Sequence, residues 1–283
     1  MADIKPSIRS ITFNEMTIQY LHYEGGDKTI LFLHATGFLP WIWHPIAREF
    51  AGEYTVIAPY ICDHRMVDHE EGMNWMVIAD DFCRLCEQLH LHNPYLVGHS
   101  MGGTVISIAN ATHGSSAEKI VMIEPIFLPE QVYDMNMTVD QHPLAAKAVR
   151  RKNFWNNKEE ARSYLRSKAL FAKWDEEMLD LYLTYGMVSG ETGGLTLACP
   201  PKREAALFMG SVRYNPWPLL SKISCPALVL EGDESENRQF IDLKKVASLM
   251  PKGEYRLVKD AGHLIPMEKP AEIFTIIKDF ING

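Results

Sequence analysis

The residues with the clearest chemical potential lie in one stretch, Pro94-Tyr95-Leu96-Val97-Gly98-His99-Ser100-Met101-Gly102-Gly103. Tyr95 to Val97 is an apolar run suited to a buried parallel strand. The chain then reaches a serine, small residues, and Val105, Ile106, Ile108 and Ala109 of a helix buried on most of its circumference. Gly98-x-Ser100-x-Gly102 has the spacing of a nucleophile elbow, a strained strand-to-helix turn that holds a serine hydroxyl in the open. Glycine is needed on both sides because so tight a turn leaves no room for a Cβ. The helix that starts at Met101 aims free N–H groups and its positive end at the place where an oxyanion would form. A serine hydroxyl is a weak nucleophile until a base takes its proton, and histidine titrates near working pH. A carboxylate must then fix the imidazole tautomer.

The elements that would position such groups can be read along the chain. Ile11, Phe13, Met16, Ile18 and Tyr20 alternate about Asn14-Glu15, which predicts an antiparallel hairpin. Thr29 to Leu33, Tyr54 to Ala58 and Lys119 to Glu124 read as buried strands, as do Ala227 to Glu231 and Tyr255 to Val258. Helices are predicted over Trp43 to Phe50, Asn74 to Leu89, Phe240 to Leu249 and the terminal stripe Ile273, Ile276, Ile277 and Phe280. Such alternation predicts an α/β fold with a doubly wound, mostly parallel sheet. It stops between Pro125 and Lys222, where the periodic stretches are helical, so residues 125–222 read as a helical cap inserted into a core of 1–124 and 223–283.

The chain has 283 residues, 47% hydrophobic and 23% charged, enough for one α/β domain with an insertion. A net charge of -8 argues against nucleic acid or an anionic membrane as partner. Met1-Ala2-Asp3-Ile4-Lys5-Pro6 lacks a signal peptide's apolar core and no apolar run would span a bilayer, so a cytoplasmic protein is expected. Cys83-x-x-Cys86 falls in mid-helix with no second pair, and reads as core thiols. Asp63, His64, Asp68 and His69 match no metal-ligand spacing and read as a solvated loop. No Gly-rich dinucleotide fingerprint occurs, so no cofactor is expected.

With the elbow, His34-Ala35-Thr36-Gly37 and Ala261-Gly262-His263-Leu264-Ile265-Pro266-Met267-Glu268-Lys269-Pro270 in this order, the chain resembles the α/β-hydrolase superfamily. The resemblance covers nearly the whole length and is weakest in the insertion. It implies Ser100 as nucleophile, His263 as general base, and an oxyanion hole built from the backbone N–H groups of Met101 and Thr36. His34 reads as shaping the oxyanion loop rather than transferring protons, and His99 reads as packing. One departure is the stretch Asp63-His64-Arg65-Met66-Val67-Asp68-His69, where many relatives carry Arg-Gly-x-Gly-x-Ser.

Two carboxylates compete for the third place. The usual one follows Ala227 to Glu231, but three residues past Gly232 stands Ser235, with Asp233, Glu234 and Glu236 around it. The other place is the end of the strand after the elbow helix, where Glu124 stands at the carboxyl edge of the sheet. Glu124 is the first candidate and Asp233 the alternative. The expected activity is cofactor-independent serine hydrolysis of a small or medium acyl substrate, most simply a carboxylic ester. Hydrolysis of a carbon–carbon bond beside a ketone and a ligand receptor with little turnover are the rival readings.

Overall fold

The computed structural model describes residues 4–13, 15–61, 64–65, 68–113, 117–191 and 193–283. Strands β1 (Ser7–Phe13) and β2 (Met16–Tyr23) pair antiparallel. Met16, Ile18 and Tyr20 are buried while Thr17 and Gln19 face water, as the alternation predicts. Of the predicted turn, Asn14 lies outside the described residues and Glu15 adopts φ 63°. Next come β3 (Thr29–Leu33), α1 (His44–Phe50), β4 (Thr55–Pro59) and α2 (Trp75–Gln88). The Asn74 side chain caps α2 by accepting from the Met76 N–H at 2.9 Å. Then β5 (Tyr95–His99), α3 (Met101–His113) and β6 (Ile120–Ile123) follow.

Between β6 and the next strand of the main sheet lie α4 (Pro143–Val149), α5 (Lys158–Arg166), α6 (Ala169–Ala172), α7 (Glu176–Tyr185), a hairpin of β7 (Met187–Ser189) and β8 (Leu195–Leu197), and α8 (Pro201–Gly210). The hairpin differs from the purely helical expectation. Its strands have three residues each, too few for a period of two to show in the sequence. Its turn is the Gly190–Gly194 cluster, of which Thr192 lies outside the described residues.

The chain then returns to the sheet with β9 (Ala227–Gly232), α9 (Leu243–Ser248), β10 (Gly253–Val258), α10 (Ile265–Glu268) and α11 (Pro270–Asn282). Helix α9 starts later than predicted because Asp242 caps it, accepting from the Lys245 N–H. Among the described residues eight strands form the main sheet, in the order β1-β2-β4-β3-β5-β6-β9-β10. The six from β4 to β10 run parallel. Alternate residues of each central strand feed opposite faces: Ile30 and Phe32 pack with α1 and α11, Leu31 and Leu33 with α2 and α3. Side chains of the 125–222 segment, including Trp155, Leu165, Trp174 and Tyr182, join the first of these cores. Among the described residues no helix is long and apolar enough to cross a membrane.

Candidate active site

The elbow follows from its glycines. A Cβ on Gly98 would stand 2.4 Å from the Gly102 carbonyl oxygen, and one on Gly102 would stand 2.3 Å from that of Leu33. Only without those carbons can β5 turn into α3 beside the end of β3. The turn passes through Ser100 at φ 53°, a left-handed conformation that costs a non-glycine residue about 1–2 kcal/mol. The Ser100 N–H donates to the Ile123 carbonyl at 2.9 Å, which ties the strained residue to the end of β6.

His263, in the loop between β10 and α10, places Nε2 3.1 Å from Ser100 Oγ. Its Nδ1 lies 3.0 Å from Glu124 Oε2. With Nδ1 carrying the proton, Nε2 is free to accept from the serine hydroxyl, which is the tautomer a general base needs. Glu124 is almost fully buried, sits one residue past β6 and also adopts a left-handed conformation, φ 50°. Its Oε1 accepts from the Gly232 N–H at 2.7 Å and its Oε2 from the Ser235 hydroxyl at 2.7 Å. A buried carboxylate needs such donors to remain charged. Gly232 in turn lacks the Cβ that would stand 2.3 Å from the Ala261 carbonyl, so the histidine loop can close over it.

The other carboxylate lies elsewhere. Asp233 is exposed, and its Oδ1 accepts a long bond of 3.4 Å from the Ala261 N–H. Among the described residues no hydrogen bond joins it to the His263 ring. Ser235 holds Glu124, and the Asn237 carboxamide stands 3.0 Å from His263 Nδ1. Sequence reasoning named Ser235 at the position usual for the acid but gave it no role, and it did not name Asn237.

Met101 is the first residue of α3, so its N–H has no intrahelical acceptor. Thr36 is buried in the loop after β3, with His34 Nδ1 3.0 Å from the Ala35 carbonyl oxygen. Among the described residues neither N–H donates to a loop or turn carbonyl. Gly37, at φ 79°, has no Cβ where the Glu204 carboxylate of α8 comes to 2.5 Å of that position. Arg151 donates to both Glu204 oxygens, at 2.7 and 2.6 Å. Phe38 packs against Trp174 and Tyr182, with ring centroids 5.6 and 5.8 Å apart. Trp217 belongs to the opposite core and packs on Phe127, so it does not share a cluster with Trp155 and Trp174.

Two histidine readings are corrected. His99 is more than packing: its Nε2 lies 2.9 Å from the His263 carbonyl oxygen and donates to it, tying the end of β5 to the histidine loop. Burial first, and the neighbouring His263 second, lower its pKa to about 3. Its Nδ1 has no partner among the described residues, so a second proton there would be buried without an acceptor. His64 is not solvated; it is buried with Nε2 2.9 Å from Oδ2 of the buried Asp81, which Arg65 also meets. Asp63 lies outside the described residues. The expectation of a core thiol suits Cys83, which burial pushes up to about 12, far from thiolate chemistry.

A family model described as the alpha/beta hydrolase family matches residues 30–276. The chain belongs to that family and is an enzyme of the α/β-hydrolase fold. It is 24% identical over 238 residues to a putative esterase/lipase of Haemophilus influenzae, covering 84% of this chain and 77% of the relative. It is 21% identical over 248 residues to esterase YbfF of Escherichia coli, covering 84% of this chain and 86% of the relative. The crystal structure of E-2-(acetamidomethylene)succinate hydrolase superposes with a TM-score of 0.81 over 98% of this chain and 100% of that one, at 19% identity, which speaks for the fold.

Proposed function

We propose that this enzyme is a serine hydrolase that cleaves a small or medium acyl substrate, most simply a carboxylic ester, through an acyl-enzyme. The observation that carries the reading is the relay from Ser100 Oγ through His263 to Glu124, with contacts of 3.1 and 3.0 Å. Similarity to proteins named as esterases supports it.

Ser100 Oγ attacks the acyl carbon while His263 Nε2 takes its proton. The carbonyl oxygen becomes an oxyanion and accepts from the Met101 and Thr36 N–H groups. Collapse expels the alcohol, which leaves with the proton from His263. Water, deprotonated by the same nitrogen, then releases the acid and restores Ser100. Glu124 holds the imidazolium through its contact with Nδ1. These steps call on no metal or cofactor, so chelators should leave turnover unchanged. Residues 125–222 act as a cap over the chemistry in this reading. The approach of Glu204 to Gly37 and the packing of Phe38 under Trp174 and Tyr182 support that role.

A fluorophosphonate probe tests the nucleophile. Intact-mass spectra should show one adduct on the wild type and none on Ser100→Ala. A folded wild-type protein that takes up no adduct would sink the serine-hydrolase reading.

A further inference from the structure

His263 Nδ1 faces two side chains. Glu124 Oε2 stands 3.0 Å from it, and so does the Asn237 carboxamide nitrogen Nδ2, from the single 3-10 turn Glu236–Gln239 after β9. A ring nitrogen offers one hydrogen or one lone pair. When Nε2 accepts from Ser100, Nδ1 carries the hydrogen, and that hydrogen lies between two groups that must both present acceptors. Glu124 does so as a carboxylate. The Asn237 atom facing Nδ1 is Nδ2, whose NH2 would push the proton to Nε2 and block the serine; a half-turn of the carboxamide exchanges nitrogen for oxygen, and the tautomer that serves Ser100 requires the oxygen there.

We propose that Asn237 is a positioning residue for His263, and that position 237 is a second acid position, filled here by the neutral isostere of aspartate. The inference rests on the serine-hydrolase reading above. The side chain makes no other hydrogen bond among the described residues, so its one polar contact is the imidazole. It is only half-buried, so a carboxylate of the same shape would keep its charge there. Several other ionisable groups around this loop are already engaged. Asp233 and Glu268 accept from the Ala261 and Gly262 N–H groups, Glu231 is held by Tyr255 and Arg238, and His99 donates to the His263 carbonyl. A new carboxylate at 237 would therefore find the His263 Nδ1–H as its partner.

The test compares wild type, Asn237→Asp, Glu124→Gln and the double variant, all confirmed as folded by circular dichroism and melting temperature. The readouts are hydrolysis of p-nitrophenyl acetate and the rate of fluorophosphonate labelling. Glu124→Gln should lose about four decades of turnover. The double variant should regain on the order of a hundredfold over it, since the carboxylate again fixes the tautomer from the other loop. Asn237→Asp alone should move the acidic limb of the kcat/KM profile upward by about one pH unit, because a second carboxylate favours the protonated ring. A role confined to folding would move the melting temperature and leave that limb in place. The inference is overturned if the double variant is no faster than Glu124→Gln, or if the limb stays put in Asn237→Asp. Should Glu124→Gln itself retain most of its activity, the limb alone decides. A wild type without Ser100-dependent labelling would bring down the hydrolase reading as well, so the two failures are told apart.

Discussion

At the carboxyl ends of the central strands, the candidate site residues are placed by backbone as well as by side chains. Ser100 and Glu124 both stand in left-handed conformations, Glu124 accepts from the Gly232 N–H, and the His263 carbonyl is tied to His99. In the 125–222 segment, ion pairs and packed rings join one element to another. Arg151 clasps Glu204, Lys152 meets Glu160, and Trp174 packs among Phe38, Phe171 and Tyr182. A position set by strained backbone and absent Cβ atoms has no alternative geometry. One set by side-chain pairing can be rebuilt with other pairs. On the proposed reading, the chemistry belongs to the first region, and substrate selectivity is free to vary in the second.

That contrast can be broken most sharply with alanine at two glycines. Gly102→Ala drives a Cβ to 2.3 Å from the Leu33 carbonyl and should cost more than about 4 kcal/mol, leaving little folded protein. Gly193→Ala, in the β7–β8 turn, meets nothing within 4 Å and pays only for its φ of 90°, about 1–2 kcal/mol. Urea denaturation of both variants checks the ranking, and equal losses would erase the distinction.

Glu204→Gln should cost an intermediate amount. Removing one partner of a buried ion pair costs about 3–5 kcal/mol. The Arg151 side chain keeps 24% of its exposure, which reduces the expected loss to about 2 kcal/mol. Labelling of Ser100 by a small probe should persist, since the elbow is untouched. Loss of labelling in a folded Glu204→Gln protein would instead tie this pair to the chemistry.

A smaller effect concerns pH. His99 is lowered to about 3 by burial, so between the unfolded value of 6.5 and that point only the unfolded chain takes up the proton. Stability from this residue is complete above pH 6.5 and falls on acidification toward 3, by about 1 kcal/mol per pH unit. His142 in the helical segment is also lowered by burial and acts with the same sign. Stability of His99→Asn should decline less steeply than wild type between pH 6 and 4. Coincident slopes would mean that His99 is not buried neutral.

How much was legible in the sequence follows the same division. Gly98, Ser100 and Gly102 are close in the chain and impose one local geometry, so their spacing carries the elbow. The continuous apolar runs mark the parallel strands because both faces of the sheet are covered. Glu124 could be located at a strand end, but its contact with His263 joins residues far apart in the chain, and local patterns do not encode which carboxylate reaches the ring. Asn237 and His99 escaped for that reason: each meets the His263 loop from a distant part of the chain. The β7–β8 hairpin was too short to show a period. The path of residues 125–222 depends on side-chain pairings such as Arg151 with Glu204, which no motif announces.

The central claim is that the carboxylate at the end of β6 serves His263. Turnover of a small ester by Glu124→Gln and by Asp233→Asn measures it most directly. A glutamine at 124 puts an NH2 before Nδ1 and favours the wrong tautomer, so Glu124→Gln should fall by about four decades. Asp233→Asn removes one long hydrogen bond at an exposed residue and should fall by no more than about tenfold. The reverse ranking, with both variants folded, would contradict the account and move the acid to Asp233.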